Sequence, residues 1–290
     1  MDFLDEEFLR RLENLRFIVK GRFRGQIGGS HYSPRSGVSL EFADYRNYFP
    51  GDDLRYVDWN IYGRLDRLFI KVFSREEDIP IYLLLDVSRS MTIEGKLQYG
   101  AKLAAALSYL GLKHLNRVGV FPFSETLREG VRPRHGTAQI FKIFDYLKAI
   151  SPAGETALNA SLEEFVRRHV ESGLAVIVSD FLSEDGSEEG LAHLLYKRFD
   201  VVALQILAEA DLSPQIDGDM RLEDVEDDTQ HLTLAVGDRT RNLYVQALSE
   251  HLERLRRFCL ERGIEHLVLP TSIPLEQAVF EYLKRGTFIK

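Results

Sequence analysis

The chain has 290 residues, of which 44% are hydrophobic and 28% are charged, proportions that exclude a disordered, collagen-like or disulfide-rich protein. Its 45 acidic and 37 basic residues give a net charge of −8, which argues against wholesale binding to nucleic acid. Cys259 is the one cysteine; it rules out an internal disulfide and a multi-cysteine zinc site, and it fits a reducing compartment. We therefore expect a cytoplasmic protein that binds no nucleic acid.

The sequence also leads us to expect no secretory signal and no membrane segment. The first residues lack the basic start and the continuous apolar stretch of a signal peptide. The longest apolar runs are interrupted by Asp86 and Asp180, well short of the roughly 18 residues that cross a bilayer.

Residues 1–78 form the first predicted section, in which Gly, Tyr and Arg are dense. A helical pattern over 3–19 overlaps a basic stretch over 10–24, for which a role toward a protein partner or toward the chain itself is favoured over nucleic acid. A glycine-rich loop, a strand over 39–48 and a Pro-Gly turn at 50–51 follow.

A dense polar and aromatic cluster ends this section: Asp52, Asp53, Arg55, Asp58, Trp59 and Arg64. It has two interpretations of equal weight. One is a contact surface for a protein partner, and the other is a salt-bridged turn that holds the N-terminal section in place.

Residues 79–290 form the second predicted section, in which short apolar strands alternate with amphipathic helices. Strands are expected at 79–87, 118–123, 127–131, 174–180, 201–208 and 266–270, and helices at 96–114, 139–149, 158–170, 191–199 and 241–262, with a last helix opened by Ser272 and Pro274. An acidic hairpin is expected as an insertion near 211–237. This alternation predicts an α/β fold with a doubly wound, mostly parallel sheet, preceded by a β-rich N-terminal section.

Three loops of the predicted sheet carry a consistent set of oxygen donors. Asp86, Ser88 and Ser90 follow the first strand, Thr156 opens a helix, and Asp180 ends another strand. Carboxylates and hydroxyls without His or Cys suit Mg²⁺ or Mn²⁺ better than zinc. The simpler alternative is that the first of these loops only caps the following helix.

These residues resemble the metal-ion-dependent adhesion site of von Willebrand factor A-type domains, which has an Asp-x-Ser-x-Ser loop, a distant Thr and a distant Asp. The resemblance implies that the serines bind the cation directly, that the Thr binds it directly or through water, and that the acidic residues assist. It also implies an open coordination position for an acidic side chain of a partner protein. Two positions depart from the pattern, since Phe181 stands where many A-type domains have Gly, and Arg89 lies inside the metal loop.

The segment that precedes the metal loop extends the resemblance over nearly the whole chain. SLEFADYRNYFPGDDLRYVDWNIYGRLDRLFIKVFSREED, followed by DVSRS, is similar to the domain-of-unknown-function family fifty-eight, in which such a segment precedes a von Willebrand A-like domain. Membership implies partnership with a MoxR-type AAA+ ATPase in the assembly or activation of a protein complex.

Enzyme motifs are missing from the sequence. HExxH, GxSxG and GxxxxGK[ST] do not occur, and a haloacid dehalogenase-type phosphatase would need Asp where this chain has Ser88. We therefore expect a non-catalytic, metal-assisted protein-binding module. Two alternatives remain open: a metal-dependent phosphohydrolase or nuclease, and a binding module that has a vestigial metal site and uses its N-terminal section.

Overall fold

The computed structural model describes residues 4–15, 17, 40–75, 79–169, 171–183, 185–213, 218–223, 231–236, 238–284, 286 and 288–289. The chain divides into two compact units, of which the smaller is Gln26–Asp78 and the main one joins Met1–Gly25 to Ile79–Lys290. The glycine-rich loop and most of the basic stretch lie outside the described residues.

Ten strands and nine α-helices are described. The strands are β1 (Leu40–Asn47), β2 (Phe69–Arg75), β3 (Pro80–Asp86), β4 (Arg117–Phe123), β5 (Val131–Arg134), β6 (Leu174–Ser179), β7 (Asp200–Leu207), β8 (Gly218–Glu223), β9 (His231–Val236) and β10 (Glu265–Pro270). The helices are α1 (Glu6–Leu12), α2 (Trp59–Leu65), α3 (Lys96–Lys113), α4 (Thr137–Lys148), α5 (Leu158–Arg168), α6 (Glu188–Tyr196), α7 (Glu209–Leu212), α8 (Asp238–Arg262) and α9 (Leu275–Gln277).

The main unit is built on a six-stranded sheet in the order β10-β7-β6-β3-β4-β5. Every neighbouring pair is parallel except β4 and β5, which are antiparallel. The mixed α/β fold with a mostly parallel sheet is therefore confirmed. Counted along the chain from β3, the order reads 6-5-4-1-2-3, so the strand order reverses between β3 and β6.

Helices cover both faces of this sheet. Successive residues of a strand point to opposite sides, so each buried strand contributes apolar side chains to both faces. On β3, Ile81, Leu83 and Leu85 belong to one apolar core, together with residues of α1, α3 and α4. Tyr82 and Leu84 belong to the other core, together with residues of α5, α6 and α8. Cys259 is fully buried in this second core, as expected of a packing residue.

Helix α1 belongs to the main unit, although the sequence analysis assigned residues 1–78 to one section. Phe8 and Leu12 are buried in the core that α1 shares with α3, and Asp5 caps the helix by accepting a hydrogen bond from the Phe8 amide. Apolar burial therefore ties the start of the chain to the sheet.

Three element boundaries differ from the sequence prediction. The helix expected over 3–19 is α1, which ends at Leu12, and Phe17 instead makes a β-bridge to Ile289. The strand expected at 127–131 begins at Val131, because Ser124 to Gly130 form the connection: the Ser124 amide donates to the Thr126 carbonyl, and Leu127 makes a single bridge to Phe123. The last helix continues from α9 into a π-helical turn over Ala278–Leu283.

The acidic insertion contains the expected hairpin, since β8 and β9 pair antiparallel from Gly218–Val236 to Glu223–His231. In the smaller unit, β1 and β2 also pair antiparallel. None of the helices in the described part of the chain is long and apolar enough to span a bilayer.

Candidate functional site

The candidate site lies where the strand order of the main sheet reverses. Asp86 is the last residue of β3, and Asp180 directly follows β6, its neighbour in the sheet. Open α/β sheets bind ligands in the crevice outside the carboxyl ends of the strands at such a point. The two carboxylates predicted from sequence therefore occupy the position at which this fold forms sites.

Backbone hydrogen bonds hold the loop of Thr156 against the loop that follows β3. The Ala153 amide donates to the Val87 carbonyl at 2.9 Å, and the Arg89 amide donates to the Gly154 carbonyl at 3.0 Å. Thr156 comes two residues after Gly154 and two before helix α5. Backbone hydrogen bonds therefore join the loop of Thr156 to the loop that follows β3.

Side-chain hydrogen bonds connect the end of β6 and the loop after it to these two loops. The Ser179 hydroxyl donates to Asp86 Oδ2 at 2.6 Å, and the Ser183 hydroxyl donates to the Thr156 carbonyl at 3.4 Å. The structure therefore brings together the three loops that carry Asp86, Ser88, Ser90, Thr156 and Asp180.

Asp86 is fully buried, and both of its carboxylate oxygens have partners. Oδ1 accepts from the Ser88 amide at 2.9 Å, and Oδ2 accepts from the Ser179 hydroxyl. Burial raises the pKa of Asp86 to about 7, and the charge of Asp180 adds to the rise, while the bonds from Ser179 and Ser88 oppose it. A nearby cation would relieve this cost of burying charge.

The hydroxyls of Ser88 and Ser90 face each other at 3.0 Å. Adjacent ligands of an octahedral Mg²⁺, each about 2.0–2.1 Å from the ion, are themselves about 3 Å apart. The donor set also has the hard-oxygen character that Mg²⁺ prefers. The residues present therefore fit the ion that the sequence suggested.

Asp180 is paired with a buried lysine that the sequence analysis did not single out. Lys96 Nζ lies 2.8 Å from Asp180 Oδ2 and 3.0 Å from Asp211 Oδ2. Burial alone would lower the pKa of Lys96, but the charges of Asp180 and Asp211 and their hydrogen bonds outweigh it and raise the pKa, so the amine is charged. The described residues contain no group of three or more His, Cys, Asp or Glu arranged to hold a metal, so serine and threonine hydroxyls must supply part of any cation site.

Three residues of the site were missed in the sequence: Ser179, Lys96 and Asp211. Ser179 carries a visible signal, since it directly precedes Asp180 at the strand end. Lys96 carries another, because a cation in the first turn of a helix opposes the helix dipole. Asp211 lies on the one-turn helix α7. Its position beside Lys96 follows only from the order of the strands in the sheet.

The two departures from the adhesion-site pattern have different structural settings. Phe181 is buried and has a φ of +55°, the left-handed region that favours Gly, so the backbone keeps the conformation for which Gly is suited. Arg89 is exposed, and its backbone amide is engaged by the Gly154 carbonyl.

In the smaller unit, the polar cluster of the N-terminal section contains both local ion pairs and exposed groups. Asp58 is buried and caps α2 by accepting from the amides of Asn60 and Ile61, and the Tyr45 hydroxyl donates to it. Asp58 therefore stabilises the start of α2.

The other members of the cluster lie nearer the surface. Asp53 accepts from the Arg55 amide and guanidinium, and Asp52 accepts from the Phe49 amide. Trp59 is 58% exposed, and Arg64 is also exposed. These exposed side chains are the ones available for contact.

Comparison with curated proteins finds relatives in mycobacteria. The uncharacterised proteins Rv1480 of Mycobacterium tuberculosis and Mb1516 of Mycobacterium bovis are each 26% identical over 232 residues, which is 78% of this chain and 73% of theirs.

Comparison with solved structures finds matches at low sequence identity and with TM-scores below 0.5. A conserved hypothetical protein BatB from Bacteroides thetaiotaomicron and an aerotolerance-related membrane protein from Bacteroides fragilis are each 14% identical and match 71% of this chain with a TM-score of 0.44. The match covers 98% of the first of these chains and 99% of the second.

The family model described as "Protein of unknown function DUF58" matches residues 44–254. This match takes in the second half of β1 and all of β2, the three loops of the candidate site and most of α8. Because it spans well over half of the sequence, the chain belongs to the DUF58 family.

Proposed function

We propose that this chain is a non-catalytic, divalent-metal-assisted protein-binding module whose main unit is von Willebrand factor A-like. One observation carries the proposal: the Asp-x-Ser-x-Ser loop, the Thr156 loop and the Asp180 loop meet at the switch point of the sheet, with the Ser88 and Ser90 hydroxyls 3.0 Å apart. That spacing supports two adjacent positions on one Mg²⁺ or Mn²⁺.

Some residues of the site would hold the ion, and others would orient the loop. Ser88, Ser90 and Thr156 would hold the cation through their hydroxyls. Asp86 accepts from the Ser88 amide and so orients the loop, while its charge and that of Asp180 favour a cation. When bound, the ion would supply an open coordination position for a partner's carboxylate.

The partner that this mechanism fits is a protein that presents an acidic side chain. An acidic residue alone would bind this chain weakly, since the net charge of the chain is −8. Capture would therefore depend on the cation. The resemblance to family fifty-eight adds the proposal that the partner belongs to a process driven by a MoxR-type AAA+ ATPase.

The burial of the carboxylates argues against a hydrolase that uses Asp86 as its nucleophile. Asp86 is fully buried and Asp180 is 1% exposed, and the bonds already made by Asp86 leave it poorly placed as a nucleophile. We expect no metal-dependent hydrolysis of generic phosphoesters by the purified protein. Turnover that is lost in Asp86→Asn would favour the hydrolase instead.

One observation favours a second candidate, the binding module with a vestigial metal site. The ammonium of Lys96 already supplies a positive charge to Asp180. In that case partner contact would fall to exposed residues of the smaller unit, such as Trp59.

Calorimetric titration with MgCl₂ tests the metal site directly. We expect the double variant Ser88→Ala, Ser90→Ala to lose at least about tenfold in Mg²⁺ affinity, the loss typical of weakened metal sites. Ser108→Ala is the matched control, because Ser108 is also buried but donates to the Ala104 carbonyl within α3. Absence of binding by the wild-type protein, or equal binding by the double variant, would contradict the metal site.

A further inference from the structure

A buried lysine at the edge of the candidate site has no place in the adhesion-site pattern. The Lys96 side chain is 1% exposed, and its ammonium contacts one oxygen each of Asp180 and Asp211. Burying an ammonium group requires compensation by charge and hydrogen bonds. The two carboxylates provide it, so the three side chains form one buried ionic group.

Lys96 lies at a position in its helix that is unfavourable for a buried cation. Lys96 is the first residue of α3, where the helix dipole disfavours a cation and the exposed amides favour an anion. A lysine buried at this end is stabilised only because Asp180 and Asp211 approach it from other elements. The arrangement concentrates opposing charges at the place where the three loops meet.

Hydrogen bonds hold both acidic residues in place. Asp211 Oδ2 accepts from the Ala208 amide at 2.8 Å and so caps α7. The Asp180 carbonyl accepts from the Gln205 side-chain amide at 2.7 Å, which ties it to β7. Lys96 therefore joins the ends of β6 and β7 through fixed partners, and its ammonium has little freedom to move away from Asp180.

We propose that Lys96 is a positioning residue for the metal site, a built-in counter-cation that keeps Asp180 from serving as a direct ligand and thereby limits the affinity for divalent cations. The inference rests on the proposed function.

The test is an MgCl₂ titration of Lys96→Met by calorimetry, with thermal unfolding in Mg²⁺ and in EDTA. Methionine keeps the length of the side chain and removes the charge. We expect Mg²⁺ affinity to rise about tenfold, a modest estimate for removing a positive charge near a divalent ion. We also expect the variant to unfold at lower temperature in EDTA and to regain more stability from Mg²⁺ than the wild type does.

Two further variants separate this role from a general effect of charge. Lys113→Met removes a lysine from the other end of α3, about 25 Å away along the helix, where it pairs with Glu13 at the surface; its Mg²⁺ affinity should equal that of the wild type. In Lys96→Met, Asp180→Asn the gain in affinity should vanish, because the freed carboxylate is gone.

Asp211→Asn keeps the proposal testable if Lys96→Met does not fold. This variant leaves the ammonium wholly to Asp180, so we expect Mg²⁺ affinity to fall several-fold. If the wild type binds Mg²⁺ and neither Lys96→Met nor Asp211→Asn changes the affinity, the proposal is overturned while the metal site stands. If only Lys96→Met binds Mg²⁺, the role of Lys96 is supported and metal-assisted binding by the wild type is contradicted.

Discussion

At the scale of single residues, Phe181 shows how the site tolerates a side chain where its backbone suits glycine. Its φ of +55° costs a residue with a Cβ about 1–2 kcal/mol. Burial of the ring in the core beside α5 and α6 offsets that cost. The His251 ring nitrogen also donates to the Phe181 carbonyl at 2.7 Å, which fixes the peptide that follows Phe181.

This balance predicts an unusual order of stability at position 181. Phe181→Ala should lower the free energy of unfolding by about 3–5 kcal/mol through loss of the ring. Phe181→Gly should lower it by roughly 0.5–1 kcal/mol less, since relief of the left-handed strain exceeds the entropic cost of glycine. Urea unfolding of the two variants measures the difference, and a glycine variant less stable than the alanine variant would contradict it.

The predicted part of the site consists of residues whose spacing along the chain is itself the signal. Asp86, Ser88 and Ser90 alternate in one loop, and Asp180 ends an apolar strand. Lys96 and Asp211 could not be found this way, because they are 115 residues apart and meet only through the packing of α3 beside β7. Their pairing depends on the strand order, which a single sequence does not specify.

At the scale of secondary-structure elements, β7 and β10 support Asp180 from the side away from the serine loop. The side-chain nitrogen of Gln205 donates to the Asp180 carbonyl. The side-chain oxygen of Gln205 therefore accepts from the His266 ring nitrogen at 3.0 Å. Burial lowers the pKa of His266 to about 4, with a further contribution from the charge of Arg256. The imidazole is therefore neutral at pH 7.

This lowered pKa predicts a loss of stability in acid. Unfolded His266 takes up a proton near pH 6.5, whereas the folded protein resists it until about pH 4. The unfolded state binds more protons in that window, so stability falls as the pH drops from 6.5 to 4. The free-energy advantage of the wild type over His266→Gln should shrink by roughly 1–3 kcal/mol across it.

Denaturant unfolding of both proteins at pH 7, 5.5 and 4 measures this difference. His266→Gln is the control, because it removes the titrating group and leaves the other carboxylates and histidines unchanged. A difference between the two proteins that stays constant with pH would contradict the account of His266.

The elements themselves were predicted where apolar periodicity was strong. Five of the six strands of the main sheet, all except β5, lie at or near their expected positions, as do α3, α4, α5, α6 and α8. The prediction was wrong for β5, since Leu127 looked like a strand residue but lies in the connection after β4. It was incomplete for the end of the chain, where a π-helical turn replaces regular helix.

At the scale of the whole molecule, the chain presents two candidate surfaces, one in each unit. The main unit contains the oxygen donors at the switch point. The smaller unit exposes large apolar side chains, as the main unit also does at Phe141, Tyr196 and Leu260. Phe49, Leu54, Trp59 and Leu65 are each more than half exposed. Apolar exposure of this kind marks surfaces that bind other proteins when it is contiguous.

Trp59→Ala separates the two surfaces. Because Trp59 is exposed, the change should alter the free energy of unfolding by less than about 0.5 kcal/mol, and Mg²⁺ affinity should not change. If the main unit carries partner binding, capture should depend on Mg²⁺ and survive this substitution. Capture that survives EDTA but fails with Trp59→Ala would assign the contact to the smaller unit.

The most direct test of metal-assisted protein binding is an affinity capture from native cell extract, with captured proteins identified by mass spectrometry. It is run in Mg²⁺, in EDTA and with Asp86→Asn, a nearly isosteric change whose folding is checked by circular dichroism. We predict a partner that is captured only in Mg²⁺ and only by the protein with Asp86 intact. Capture that is indifferent to both EDTA and Asp86→Asn would contradict the account.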